Sequence, residues 1–154
     1  MMEHLESHFD STFYGYCNGD ILFHSSFIPA LQTIKEKIRL SVLSSKALAS
    51  VVPHMQVFVV GRRVNYDEGD LSPIPHSIQG QDQYINQLGS RGYLFQTDAE
   101  DYFIFTKGTM PWSALHNVVI GRPGYDNYLV NFFYYRPSVS LIDTTNASGA
   151  WSEV

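Results

Sequence analysis

Residues 13–20 read Phe-Tyr-Gly-Tyr-Cys-Asn-Gly-Asp, a short run of β-favouring residues that passes directly into a polar turn. The run Phe13–Cys17 is continuously apolar, which predicts a short buried strand. The triplet Asn18-Gly19-Asp20 consists of turn-forming residues and ends that strand. The same order, an apolar strand followed by polar residues, recurs along the chain and decides the predicted fold.

The rest of the chain alternates between apolar runs and amphipathic segments. Further strands are predicted at residues 21–23, 55–60, 101–105, 118–120 and 139–142. Helices are predicted at residues 26–46, 82–88 and 125–135. Residues 64–80 are rich in acidic and turn-forming residues and predict an exposed loop. This alternation predicts an α/β fold with a mixed, largely parallel sheet flanked by helices.

Composition narrows the class of protein further. The chain has 154 residues, and we expect a single domain over residues 1–154. Its net charge is −5 and it has no cationic cluster larger than Arg62-Arg63, which argues against a nucleic-acid partner. One cysteine, Cys17, excludes an internal disulfide. No apolar run has membrane-spanning length and no signal pattern opens the chain, so we expect no membrane contact and a cytoplasmic location.

Polar side chains follow several of the predicted strands. They are Asn18, Asp20, Arg62, Arg63, Arg122, Asp126 and Asp143. In open α/β sheets, ligands bind in the crevice outside the carboxyl ends of the strands. Carboxylates and arginines collected at such an edge suit a phosphate-bearing ligand with a hard divalent cation.

Each of these groups also has a structural interpretation. Asn18 and Asp20 can face one cation across the intervening glycine, or they can form an ordinary Asx turn. Asp126 can act as a general base towards an acceptor hydroxyl, or it can compensate the macrodipole at the start of its helix. Arg122 can hold a phosphate or form a surface ion pair.

Five segments, taken in order, resemble the GT-A-type nucleotide-diphospho-sugar transferase-like (glycosyltransferase-like) proteins. They read YGYCNGDILF at 14–23, VFVVGRR at 57–63, DYFIFTKG at 101–108, VIGRPGYDNYL at 119–129 and VSLIDTT at 139–145. The segments span residues 14–145, and the ordered set is more specific than any single motif. The resemblance implies that the chain corresponds to the C-terminal portion of a GT-A fold.

The resemblance also implies an activity, the metal-dependent transfer of a sugar from a nucleotide-sugar donor to an unknown acceptor. Asn18 and Asp20 fall at the position of a relaxed Asp-x-Asp motif, which would bind Mn²⁺ or Mg²⁺ and through it the donor diphosphate. Asp126 falls where the family places the acidic residue that faces the acceptor. The donor and phosphate ligands implied by the resemblance are Arg62, Arg122 and Asn127.

The chain departs from the family pattern in its length before the metal motif. Only 17 residues precede Asn18, so we expect most of the N-terminal nucleotide-binding half to be lacking. The partners expected besides donor and acceptor are a homo-oligomer or a missing N-terminal segment. The alternative function is that of a non-catalytic, truncated GT-A-like module that binds a protein or a glycan.

Overall fold

The structure is a computed structural model that describes residues 2–46, 56–66, 73–94, 96, 99–116, 124–148 and 150–153. The helices are α1 (Met2–His8), α2 (Phe27–Lys46), α3 (Ile78–Gly89), α4 (Tyr125–Tyr134) and α5 (Thr145–Ser148). The strands are β1 (Phe13–Cys17), β2 (Ile21–Phe23), β3 (Gln56–Gly61), β4 (Val64–Tyr66), β5 (Tyr93–Leu94), β6 (Tyr102–Thr106), β7 (Val139–Asp143) and β8 (Ala150–Glu153).

The strands form two four-stranded sheets. The first has the order β1-β6-β3-β7, and the second has the order β2-β8-β4-β5. Each sheet contains one parallel pair, β3 with β7 in the first and β4 with β8 in the second. The other described pairs are antiparallel.

The predicted α/β class and mixed sheet are therefore confirmed, whereas the expectation of a largely parallel sheet is wrong. Antiparallel pairs predominate because β6 runs against both of its neighbours, β1 and β3. A run of apolar residues shows that a strand is buried, but it holds no information about the direction of a partner that lies far away in the chain. Whether residues 1–154 form one domain stays a prediction.

Both faces of the first sheet are buried. Successive side chains along a strand point to opposite faces, so each strand contributes to two core clusters. On β6, Phe103 and Phe105 join a core cluster with Phe58 of β3 and Phe133 of α4. The rings of Phe58 and Phe133 stack with their centroids 4.1 Å apart. Tyr102, the first residue of β6, belongs to a different cluster with Phe27 of α2. Burial on both faces is what the continuous apolar runs of β3 and β6 predicted.

The helices begin close to the predicted positions, with one exception. The predicted helices at 26–46 and 125–135 are confirmed by α2 and α4. Helix α3 starts at Ile78, four residues earlier than predicted, because the Ser77 side chain accepts a hydrogen bond from the Gly80 backbone N–H. The predicted loop at 64–80 instead begins with the strand β4, whose Asn65 and Tyr66 are buried.

Gly61, the last residue of β3, allows a close approach between neighbouring strands. A Cβ atom at this position would overlap the phenol of Tyr102. The hydroxyl of Tyr102 instead passes over Gly61 and lies 2.9 Å from Oγ1 of Thr144. Thr144 in turn donates its backbone N–H to the carbonyl of Val60 at 2.9 Å. The ends of β3, β6 and β7 are thereby held together at one edge of the first sheet.

Three predictions lie wholly or partly outside the described residues, namely the strand at 118–120, the position of Arg122 and residues 67–72 of the predicted loop. Within the described ranges, no helix is both long enough and apolar enough to cross a membrane.

Candidate functional site

One edge of the first sheet collects the ends of all four of its strands. The register pairs Cys17 and Gly61 with Tyr102, and it pairs Val60 with Asp143. The carboxyl ends of β1, β3 and β7 therefore lie beside the amino end of the antiparallel strand β6. We call the polar residues at this edge the polar edge; they are Asn18, Asp20, Arg62, Arg63, Glu100, Asp101 and Asp143.

Asp101 lies at the centre of the polar edge and is only 4% exposed. Its carboxylate pairs with the guanidinium of Arg63 and also accepts the Arg63 backbone N–H at 3.1 Å. The same carboxylate accepts a hydrogen bond from Nδ2 of Asn18 at 3.3 Å. Burial raises the pKa of Asp101, and the charge and hydrogen bonds of Arg63 oppose this shift. Every one of these contacts stabilises an ionised carboxylate in a buried position.

Glu100 precedes Asp101 and has a different environment. Its Oε2 atom is buried and has no hydrogen-bond partner. Burial raises the pKa of Glu100, and the negative charges of Asp126 and Asp143 raise it further, while Arg62 acts in the opposite direction. These effects place Asp126, Arg62 and Asp143 near the same carboxylate. Burial and the neighbouring negative charges therefore both disfavour the ionised form of Glu100.

Asp126 lies in the first turn of α4, and its position relative to the polar edge follows from its electrostatic effect. It is half-buried, and its negative charge raises the pKa of both Glu100 and Asp101. Its Oδ1 accepts the backbone N–H of Asn127 at 2.9 Å, and Asn127 itself is exposed. The structure thus brings Asp126 close enough to Glu100 and Asp101 for its charge to act on both.

Asn18 and Asp20 lie in the turn between β1 and β2. Oδ1 of Asn18 accepts a hydrogen bond from the hydroxyl of Tyr16 at 3.3 Å. Asp20 is exposed, and partial burial together with the negative charge of Asp20 raises the pKa of the Cys17 thiol. Asn18 therefore joins the buried network around Asp101, whereas Asp20 stands at the solvent side of the same turn.

Arg62 is half-buried at the end of β3, and its backbone is fixed by α5. Its N–H donates to Oγ1 of Thr145 at 3.0 Å. That hydroxyl donates in turn to Oδ1 of Asp143 at 2.6 Å. Arg62 and Asp143 are thus held side by side at the ends of two parallel strands, as the sequence predicted for polar residues that follow strands.

The structure therefore unites most of the predicted site residues. Asn18, Asp20, Arg62 and Asp126 lie at or beside one edge, and Asn127 follows Asp126 on α4. Arg122 lies outside the described residues, so its placement stays a prediction.

Sequence reasoning missed Glu100 and Asp101 as site residues. The predicted site residues all follow strands, whereas these two precede one, the strand β6. In an antiparallel strand the amino end lies at the same edge as the carboxyl ends of its neighbours. The sequence feature that could have identified them is the acidic pair immediately before the apolar run 102–105.

Within the described part of the chain, no group of three or more His, Cys, Asp or Glu side chains could hold a metal by itself. Mg²⁺ is typically bound by one or two protein oxygens together with water and substrate phosphates. The carboxylate of Asp20 and the side-chain oxygen of Asn18 are oxygens of this kind.

A cavity of about 260 Å³ lies elsewhere, against the first residues of β1 and one side of α2. Phe13 and Lys35 are among its lining residues. Phe13 stands at the opposite end of β1 from Asn18, so this cavity is separate from the polar edge.

Comparisons of the chain with known protein families, with curated proteins and with solved structures found no match.

Proposed function

We propose that the polar edge binds the diphosphate of a nucleotide-sugar donor together with Mn²⁺ or Mg²⁺ and transfers the sugar to an acceptor hydroxyl. The observation that carries the proposal is the convergence of Asn18, Arg62, Asp126 and Asp143 on one edge of the first sheet. The bound cation would neutralise charge on the leaving diphosphate. The reaction would take place in the cytoplasm, which stays a prediction.

Each residue has a defined task in this proposal. Asn18 and Asp20 orient the cation-bound phosphates, and the guanidinium of Arg62 contacts a phosphate oxygen. In the transfer step the acceptor oxygen bonds to the anomeric carbon, while the bond from that carbon to the diphosphate oxygen breaks. The electron pair leaves with the diphosphate, and the acceptor proton passes to the carboxylate of Asp126.

Calorimetric titration with UDP- and GDP-sugars, with and without Mn²⁺, tests the proposal. We expect binding that requires Mn²⁺, and we expect Asp20→Ala to weaken the Mn²⁺-dependent part at least tenfold. Asp10→Ala is the matched control, because Asp10 is an exposed carboxylate whose side chain pairs with Lys107 away from the polar edge. Asp126→Asn should leave donor binding within about twofold and lower turnover roughly 10²–10⁴-fold, the usual contribution of a general base. Absence of any metal-dependent nucleotide binding would overturn the proposal.

A second candidate function is a non-catalytic module that binds a glycan or a protein. The observation that favours it is a pair of tyrosines at the end of α4, Tyr134 and Tyr135, which are 69% and 77% exposed. Their rings meet edge to face with centroids 5.1 Å apart. Exposed aromatic rings of this kind offer an apolar surface with a polar tip. Glycan binding that is lost in Tyr135→Ala and persists in Asp20→Ala would favour this function over sugar transfer.

A further inference from the structure

We propose that Asp101 is a positioning residue that sets the orientation of the Asn18 carboxamide, so that Oδ1 of Asn18 is the atom left to face a ligand. The orientation itself follows from contacts in the first sheet. The identity of the ligand rests on the proposed function.

The first step is that Asp101 contacts Asn18 through both its backbone and its side chain. The carbonyl of Asp101 accepts the Asn18 backbone N–H at 3.3 Å, and its Oδ1 accepts the Asn18 Nδ2 at 3.3 Å. The Asp101 backbone N–H donates to the carbonyl of Gly61 at 2.9 Å. Asp101 is thereby anchored to the ends of both β1 and β3.

The second step is that Arg63 keeps the Asp101 carboxylate an acceptor. Its guanidinium and its backbone N–H both donate to Asp101, and its Nε donates to Oδ1 of Asn65 at 2.7 Å. Asn65 is 1% exposed, so the guanidinium is fixed by a second buried partner. An ionised carboxylate can only accept hydrogen bonds. In keeping with this, the carboxamide of Asn18 turns its NH₂ towards Asp101, with Nδ2 3.3 Å from Oδ1.

The third step concerns the other side of the Asn18 carboxamide. With Nδ2 directed at Asp101, Oδ1 faces away from it and accepts one hydrogen bond from Tyr16. A carboxamide oxygen has two lone pairs, so a second acceptor position is available for a cation or a donor group.

The same geometry explains why residue 18 is an asparagine. An aspartate at this position would place a second carboxylate about as far from Asp101 as Nδ2 is now, at 3.3 Å. Two like charges at this separation in a buried site repel each other. An amide at position 18 can donate a hydrogen bond to Asp101, whereas a carboxylate there would repel it.

Hydrogen exchange of side-chain amides tests the orientation without any metal or nucleotide. We expect the Asn18 side-chain amide to exchange with solvent at least tenfold more slowly than that of Asn131, which is exposed on α4. Asp101→Ala should remove this protection in folded protein. Equal exchange rates for Asn18 and Asn131 in the unsubstituted protein would overturn the inference, and this comparison does not depend on whether any variant folds.

A double-substitution cycle at positions 18 and 101 tests the explanation for Asn18. At pH 7, Asn18→Asp should raise the equilibrium constant for unfolding at least tenfold. In the Asp101→Asn background, the same substitution should raise this equilibrium constant by no more than about threefold. Equal effects in both backgrounds would contradict the coupling.

The affinity for Mn²⁺ with UDP connects the orientation to the proposed function. In folded protein, Asp101→Asn should weaken this affinity at least fivefold, and the remote control Asp10→Asn should leave it unchanged. If the unsubstituted protein shows the protected amide and the coupling but binds no Mn²⁺–UDP, the proposed function fails and the positioning of Asn18 stands. If Mn²⁺–UDP binds and Asp101→Asn binds it equally well, the positioning role fails and the proposed function stands.

Discussion

Glu100 and Asp101 are adjacent in the chain, and burial raises the pKa of both, yet their surroundings differ in kind. Asp101 pairs with Arg63 and accepts further hydrogen bonds from Arg63 and Asn18. Glu100 has a buried oxygen without a partner and is subject to the negative charges of Asp126 and Asp143. Asp101 therefore connects Arg63 and Asn18 at the polar edge, whereas the carboxylate of Glu100 keeps an oxygen that no hydrogen bond occupies.

The largest expected effect comes from removing the partner of Asp101. Arg63→Met removes the positive charge and leaves the buried carboxylate with hydrogen bonds from Asn18 and from the backbone N–H of residue 63, but without an opposite charge. Breaking a buried ion pair by removing one partner costs about 3–5 kcal/mol, and the 19% exposure of the Arg63 side chain places our expectation at about 3 kcal/mol. Urea denaturation monitored by circular dichroism measures this loss.

The control for Arg63→Met is Lys107→Met, which breaks an ion pair between Lys107 and the exposed Asp10. Exposed pairs contribute less than about 1 kcal/mol. A loss of similar size in both variants would contradict the assignment of Asp101 and Arg63 as the organising pair.

Glu100→Gln is expected to change stability by less than Arg63→Met and to stabilise the protein. The pKa of Glu100 is higher in the folded protein than in the unfolded chain. At pH values between the two pKa values, Glu100 is therefore protonated in the folded protein and ionised in the unfolded chain. The protein therefore loses stability as pH rises through this interval. Glu100→Gln has no carboxyl group to ionise, so it should avoid this loss and be more stable at pH 7 by roughly 0.5–1 kcal/mol, a figure kept low for partial solvent screening.

Unfolding free energies measured from pH 4 to pH 8 test this expectation. The difference between Glu100→Gln and the unsubstituted protein should grow with pH and then level off. Glu36→Gln is the matched control, since Glu36 is exposed on α2 beside Arg39, and it should change stability by no more than about 0.5 kcal/mol. A stabilising difference that is already complete at pH 4 would show that ionisation of Glu100 is not its cause.

Local sequence patterns predicted the elements better than their arrangement. Phe13–Cys17 and the helix over 27–46 were predictable because burial and amphipathic spacing are local properties. The direction of β6 was not, since it is set by pairing with β1 and β3, which lie about 90 and 45 residues earlier in the chain. The short strand Val64–Tyr66 was missed because it lies within a stretch rich in turn-forming residues.

The same distinction between local patterns and long-range pairing explains which residues of the candidate site could be predicted. Asn18, Arg62 and Asp143 were predictable because each follows an apolar strand, and strand ends meet at an edge. Glu100 and Asp101 were not predicted, because only the antiparallel direction of β6 brings its amino end to that edge. The role of Arg63 depends on a contact with a residue 38 positions away in the chain, which no local pattern records.

The measurement that tests the central claim most directly is paramagnetic broadening by Mn²⁺ in the presence of UDP, observed in ¹⁵N-resolved spectra. If the polar edge holds a cation together with a diphosphate, signals of the Asn18 side-chain amide and of Gly19 should broaden at substoichiometric Mn²⁺. Signals of Gly108, which follows the far end of β6, should stay sharp because the broadening falls steeply with distance. Broadening that spares Asn18 and Gly19, or that is the same at Gly108, would contradict the account.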